Sequence, residues 1–305
     1  MDINQLEVLV TVARERSFSR AAEVLGRTQP AISQAVSRLE RSVGEVLFDR
    51  TSKDGTLTYA GEVLLEHATA ILGMRAAAVN SIREIRGLSS GRVTFSANEH
   101  TVFSLIPLIE RFRNKHPEIK IEVQRGVASR IPKQITAREV ELGVVSFQPN
   151  DPTLVSVPLR RDELALVVPP SHPLAGRRSV AIRELATESF IAHNAPSPYR
   201  QKVIEAFDEN GTMLNIAIEL PSLEAIKRMV AAGAGIALLP RLTVESEVEL
   251  GRLAAVRVKD LKLERRLNMI YRRSATLSHA ARAFVELASD ETSRAANRRR
   301  DAENR

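Results

Sequence analysis

Apolar residues repeat along this chain at helical spacing up to about residue 86, and mostly at strand and helix spacings in alternation after it. Over residues 3–15, Leu6, Leu9, Val10 and Ala13 predict an amphipathic helix. Residues 17–41 predict two further short helices joined by a tight turn. Ser17 is the N-cap candidate of the first, because its hydroxyl can accept from a free first-turn N–H. Phe18, Ala21, Ala22 and Leu25 follow at i, i+3, i+4 and i+7 as one apolar stripe. Gly26 supplies the stop, since glycine enters the left-handed conformation without a Cβ clash. Thr28 is the next N-cap candidate, with Pro30 in the first turn. Ala31, Ile32, Ala35, Val36 and Leu39 form the buried side of that helix. Gly44 then breaks the chain, Leu47 and Phe48 read as buried anchors, and the Asp54-Gly55 turn within residues 49–57 predicts a β-hairpin wing. Residues 58–86 contain no proline. Leu64, Ala68, Ile71, Arg75, Ala78, Ile82 and Ile85 form a heptad seam there, which predicts a long helix paired with a copy of itself. GLSSG at 87–91 reads as a linker.

Beyond it, strands are expected at 91–96, 119–123 and 142–146, and helices at 105–115 and 131–139. This alternation predicts a parallel sheet with helices on both faces. It recurs as strand 163–168, helix 198–210, strand 216–220, helix 223–232 and strand 236–239. Two similar α/β units predict two lobes with a cleft between them. Residues 264–273 read as a strand crossing back to the first lobe, followed by a helix over 279–288.

Composition narrows the class. The 305 residues suffice for two or three domains. There is no Cys, which removes disulfides, thiolate zinc sites and Cys nucleophiles and fits a reducing, cytoplasmic compartment. The N-terminus reads as no signal peptide, and no apolar run approaches the roughly 18 residues of a membrane span. The net charge of +7 suggests a polyanionic partner. Its distribution weakens that argument: residues 1–90 hold 11 Lys/Arg and 11 Asp/Glu, whereas the segment 294–305 holds five Arg against Asp301 and Glu303. That basic segment, 294–305, reads as a frayed, solvated tail. The case for DNA rests on where individual side chains point.

Thr28, Gln29, Ser33, Gln34, Ser37 and Arg38 remain on the outward face of the second short helix. A plain helical hairpin shares this pattern, but its exposed face is usually rich in Glu and Lys. This one is short, polar and mixed in donors and acceptors, and a helix of this width fits the DNA major groove. Arg50, Thr51, Ser52 and Lys53 on the wing suit phosphate contacts, which fix register without reading sequence. In the α/β part, ligands bind beyond the carboxyl ends of strands. Asn98, Glu99, His100 and Thr101 follow the first strand, Ser146, Phe147 and Gln148 the third, and Pro196 and Ser197 precede a helix. Thr101, Ser197 and helix-end N–H groups suit a small anion; Glu99 would repel one, or receive a cationic or hydroxylated ligand. As plain helix caps the same residues need no ligand. The six His are scattered, no hydrolase, zincin or P-loop motif occurs, and the AGAGIAL segment lacks the third Gly of a dinucleotide loop, so an enzyme is not expected. No resident cofactor or metal is expected either.

The FSRAAEVL helix, TQPAISQAVSRLE, Gly44 with Leu47-Phe48 and Arg50, the Leu57-Thr58 wing exit and Gly61 resemble the LysR-type transcriptional regulators, nearly unbroken over residues 3–66. RDELALVVPPSHPLA and AAGAGIALLP resemble that family's effector domain, itself similar to periplasmic solute-binding proteins. The resemblance implies an α/β chain with an N-terminal all-α winged helix-turn-helix and a two-lobed, type 2 periplasmic-binding-protein-like effector domain. Its expected divisions are 1–58 for DNA binding, 59–90 for the dimerisation helix and 91–293 for the effector domain. Lobe I is expected at about 91–161 and 268–293, and lobe II at about 162–267. The implied function is sequence-specific DNA binding controlled by a small-molecule effector, in a homodimer or homotetramer that addresses RNA polymerase and no membrane. Phe18, Ser19, Thr28, Gln29, Pro30, Ser33, Gln34, Ser37, Arg38 and the wing residues 50–53 form the expected DNA-contacting set. Competing classes are a nonspecific architectural DNA binder and a solute-binding protein; the latter would need an export signal.

Overall fold

The computed structural model describes residues 1–49, 55–85, 91–194, 197–261, 263–273 and 277–303. Helix α1 (Ile3–Glu15) opens on a reciprocal capping box: the Gln5 N–H donates to Asp2 Oδ1 at 2.8 Å, and the Asp2 N–H donates to Gln5 Oε1 at 2.9 Å. Helix α2 (Phe18–Val24) is capped by Ser17, whose Oγ accepts from the Arg20 N–H. Gly26 takes φ 60° and turns the chain into α3 (Gln29–Val43), which ends at Gly44 with φ 80°. Thr28 occupies the N-cap position, but its hydroxyl accepts no capping bond, so the turn and Pro30 define this start. Leu6, Leu9, Val12, Ile32, Val36, Leu39 and Leu47 are buried together beneath the three helices. Ala31, expected inside, is only half-buried.

The wing is anchored at its base. Phe48 bridges Leu57, the Asp49 N–H donates to the Thr56 carbonyl at 2.8 Å, and the Thr58 N–H donates to the Leu47 carbonyl at 3.0 Å. The buried Glu40 of α3 accepts the Leu47 N–H on Oε1 at 2.9 Å, which ties the wing to the helix. Helix α4 (Tyr59–Ile85) leaves directly from the wing. The seam read as a self-pairing face is used differently in its first half. Ala68 is buried, and Leu64 and Ile71 are packed, against the chain's own N-terminal core, while Arg75 pairs with Glu7 at 2.7 Å. The long helix therefore docks on α1 with this stripe. Tyr59, Val63 and Met74, on a neighbouring face, stay exposed.

The rest is an α/β unit of two lobes. Its elements are β1 (Arg92–Ala97), α5 (Ile106–Lys115), β2 (Lys120–Arg125), α6 (Ile131–Thr136), β3 (Leu142–Val145), β4 (Leu154–Val168), β5 (Ser179–Val180), β6 (Phe190–His193), α7 (Pro198–Glu209), β7 (Ile216–Leu220), α8 (Leu223–Ala231), β8 (Ala237–Pro240), α9 (Glu245–Glu249), β9 (Ala254–Val258), β10 (Glu264–Arg272) and α10 (His279–Glu303). The main sheet runs β2-β1-β3-β10-β4-β9-β5, with β8 also paired to β4; β6 and β7 pair separately. β1 is parallel to β2 and β3, whereas β10 is antiparallel to β3 and β4. The long strands β4 and β10 pass from lobe I to lobe II side by side, and their register shifts between Leu267 and Asn268, at the crossing. Phe95, Phe112 and Phe284 fill lobe I; Phe190 meets Phe207 edge-on in lobe II. The helix expected to end at residue 288 continues to Glu303, so residues 294–303 share its helical backbone.

Candidate DNA-reading face and effector cleft

On α3, Ile32, Ala35, Val36 and Leu39 point inward and fix the rotation of the helix, leaving Gln29, Gln34, Ser37 and Arg38 exposed and Ser33 half-exposed. Gln29 Nε2 donates to Ser33 Oγ at 3.0 Å, which joins two neighbouring polar groups one turn apart. Thr28, Pro30 and Ser19 are also exposed. Phe18 is engaged with the fold. It is half-buried, packs on the helical core and meets the Phe48 ring edge-on at 5.3 Å. Arg50, Thr51, Ser52 and Lys53 lie outside the described residues.

Between the lobes is a cavity of about 260 Å³. Apolar walls come from Phe190, Ile191, Val203, Leu214, Ile216 and Leu238 of lobe II. Polar groups converge from both sides. Ser197 caps α7, accepting the Tyr199 N–H at 3.2 Å. The Tyr199 hydroxyl crosses to donate to the Ser146 carbonyl of lobe I. Arg200 pairs with Glu219, and Arg265 pairs with Asp162 where β4 and β10 cross. Arg265 and Asp162 are almost wholly buried, and the Arg265 guanidinium lies 5.2 Å from the Tyr199 ring. Burial pushes the Asp162 carboxyl up and the Arg265 guanidinium down, each opposed by the other's charge. Arg125, at the end of β2, lines the same cavity and has no carboxylate partner among the described residues. Burial, reinforced by Arg265, lowers His100 to a pKa of about 4, so it is neutral at pH 7. His100 Nδ1 and Arg265 Nε are buried without a hydrogen-bond partner among the described residues.

The sequence matches two family models: "Bacterial regulatory helix-turn-helix protein, lysR family" over residues 3–62 and "LysR substrate binding domain" over residues 86–293. The chain belongs to the LysR family. A curated relative, the "Probable RuBisCO transcriptional regulator" of Cyanophora paradoxa, is 33% identical over 291 residues, covering 93% of this chain and 90% of that protein. The crystal structure of CbnR, a LysR family transcriptional regulator, superposes with a TM-score of 0.71 at 22% identity, covering 94% of this chain and 98% of that one. The regulatory domain of Synechocystis CcmR in complex with 2-PG superposes with a TM-score of 0.59 at 27% identity, covering 66% of this chain and 97% of that one. This LysR protein is thus a DNA-binding transcriptional regulator with an effector-binding domain, and not an enzyme.

In this LysR regulator the cleft gathers Asn98, Glu99, His100, Ser146 and Ser197 from the loops selected by sequence. Three other selected residues sit elsewhere. Thr101 is fully buried under its loop, its hydroxyl donating to the Val144 carbonyl at 3.2 Å. Phe147 packs on the cluster around Ile131 and Ile135, and Gln148 is exposed and donates to Ser156. Pro196 lies outside the described residues. The Asn98 side chain is also spent locally, accepting the N–H groups of His100 and Thr101 at 3.0 and 2.8 Å. Sequence reasoning passed over Arg125, His193, Tyr199, Arg200 and Arg265. Arg125 ends a strand of the first lobe, so the strand-end rule reaches it, and Tyr199-Arg200 directly follow a selected cap. Nothing local marks Arg265. No helix among the described residues is long and apolar enough to cross a membrane.

Proposed function

We propose that this regulator reads DNA with Gln29, Ser33 and Gln34 and holds phosphates with Arg38 and Arg50, under control of a small organic anion bound between the lobes. Thr28, Ser37, Thr51, Ser52 and Lys53 complete the phosphate-contacting surface. The observation that carries the effector half is Arg125, a cation with no carboxylate partner among the described residues that lines a mostly apolar cavity together with Arg200 and the Ser197 end of α7. A cavity of about 260 Å³ is at the small end of ligand sites and favours a metabolite of a few heavy atoms over a nucleotide. That the similar CcmR regulatory domain is solved in complex with 2-PG supports a small ligand for a domain of this fold. A second copy paired through the exposed Tyr59, Val63 and Met74 face of α4 would set two recognition helices on successive major grooves, so a roughly palindromic site is expected. The control works only if the anion binds one lobe arrangement better than the other.

Calorimetric titration of a panel of small organic anions, 2-PG included, tests the effector half. At least one should bind the full-length protein, and Arg125→Ala should weaken it about tenfold or more, as expected when a charge-assisted contact is lost. Binding unaffected by Arg125→Ala, or no binding across the panel, would count against this role for the cleft.

A further inference from the structure

Glu99 belongs to lobe I, in the loop after β1, yet lobe II holds both of its carboxylate oxygens. Oε1 accepts the backbone N–H of Leu223, the first residue of α8, at 2.8 Å. Oε2 lies 3.2 Å from His193 Nε2, at the end of β6. The first N–H groups of a helix have no partner inside it, and its dipole favours a negative charge there. At α8, beside the cavity that Glu99 and His193 line, that position is already taken by a protein carboxylate. Elsewhere in the lining, Ser197 caps α7, Arg200 pairs with Glu219 and also donates to the His193 carbonyl at 3.4 Å, and Arg125 has no carboxylate partner among the described residues. Arg125 is thus the cation of the lining without a counter-anion among the described residues, whereas the α8 N-terminus is supplied with one from within.

We propose that Glu99 is a latch that sets effector specificity: it closes the lobes on a charge the protein itself supplies and limits the effector to one anionic end. That end would face Arg125 and Ser197. The end directed at α8 would meet a carboxylate, which repels a second acid but accepts from a hydroxyl or an ammonium. His100, whose buried Nδ1 has no partner beside Glu99, adds a further hydrogen-bonding position at that end. The class selected is a small monoanion carrying a hydroxyl or amino group at its other end. This rests on the small-anion reading of the cleft.

Two compounds of equal length separate the charges: 4-hydroxybutyrate, with a hydroxyl at one end, and succinate, with a second carboxylate there. The wild-type regulator should bind 4-hydroxybutyrate more tightly than succinate by about tenfold or more, and Glu99→Gln, which keeps the shape but drops the charge, should erase that preference. The same preference in Glu99→Gln would overturn the specificity role. Paired spin labels on the two lobes, with no ligand added, read the latch independently. Glu99→Ala should broaden and lengthen the lobe-to-lobe distance relative to wild type, and an unchanged distance would overturn the latch. If neither compound binds either protein, the small-anion reading fails, while the label distance still decides whether Glu99 holds the lobes together.

Discussion

Gln29 and Ser33 hold each other on the outer face of α3, so each limits the other's freedom before any DNA arrives. Pre-ordering of this kind lowers the entropy lost on contact with a base edge. Replacing either by Ala should relax sequence preference at the site that pair reads, costing on the order of 1–3 kcal/mol on cognate DNA. Because the two share one hydrogen bond, the double replacement should cost less than the sum of the singles, which a double-mutant cycle by anisotropy would show. Arg38 has no carboxylate partner among the described residues, and Arg38→Ala should weaken cognate and random duplexes alike and flatten the salt dependence. His100 gives a pH prediction. Its folded pKa of about 4 lies below the unfolded value near 6.5, so the unfolded chain takes the proton first as pH falls. Stability should be flat above pH 6.5 and fall by on the order of 2–3 kcal/mol toward pH 4. Urea unfolding of His100→Gln should show a shallower loss over that window; an equal slope would place the proton uptake elsewhere.

At the scale of elements, the contact between α3 and the wing runs through Glu40. Its carboxylate takes the buried Leu47 N–H, so Glu40→Ala strands that donor and should cost about 1–3 kcal/mol of stability. On the proposed role of the wing, which positions rather than reads, DNA affinity should drop with little change in sequence preference. The helices of the first 60 residues were legible because their signals are local: Ser17, Pro30, Gly26 and Gly44 act within a turn or two of themselves. The stripe Leu64, Ala68 and Ile71 was legible as buried but not as to what buries it, since an apolar stripe has the same spacing whether it meets a twin helix or α1 of its own chain. The strands β5, β6 and β9 were missed because two to five residues carry too little alternation to stand out from loop. The first half of β4 was missed because its exposed Arg160 and Arg161 hide the strand pattern.

For the whole molecule, β4 and β10 are the strands that run between the lobes, and Arg265 with Asp162 is buried where they cross. Removing one partner leaves a buried charge, so Asp162→Ala should destabilise the protein by about 3–5 kcal/mol, read as a lowered unfolding midpoint. Arg265 could not be picked from the run ERRLNMIYRR, since its burial is decided by a carboxylate 103 positions away. Its neighbours Arg266 and Arg272 look the same in sequence and are not buried. The loops at strand ends could be picked, because topology alone sends them to the cleft. On the reading proposed above, the two halves of the protein are linked because α3 reads bases while the cleft decides how two copies of α3 are spaced. Selection of bound duplexes from a random pool, with wild type and with the Gln29→Ala, Ser33→Ala double variant side by side, addresses the reading half whatever the target gene. Wild type should enrich a site with two roughly symmetric half-sites, and the variant should lose base preference inside both. Enrichment of the same motif by the variant, or of none by wild type, would mean that this face of α3 does not read DNA.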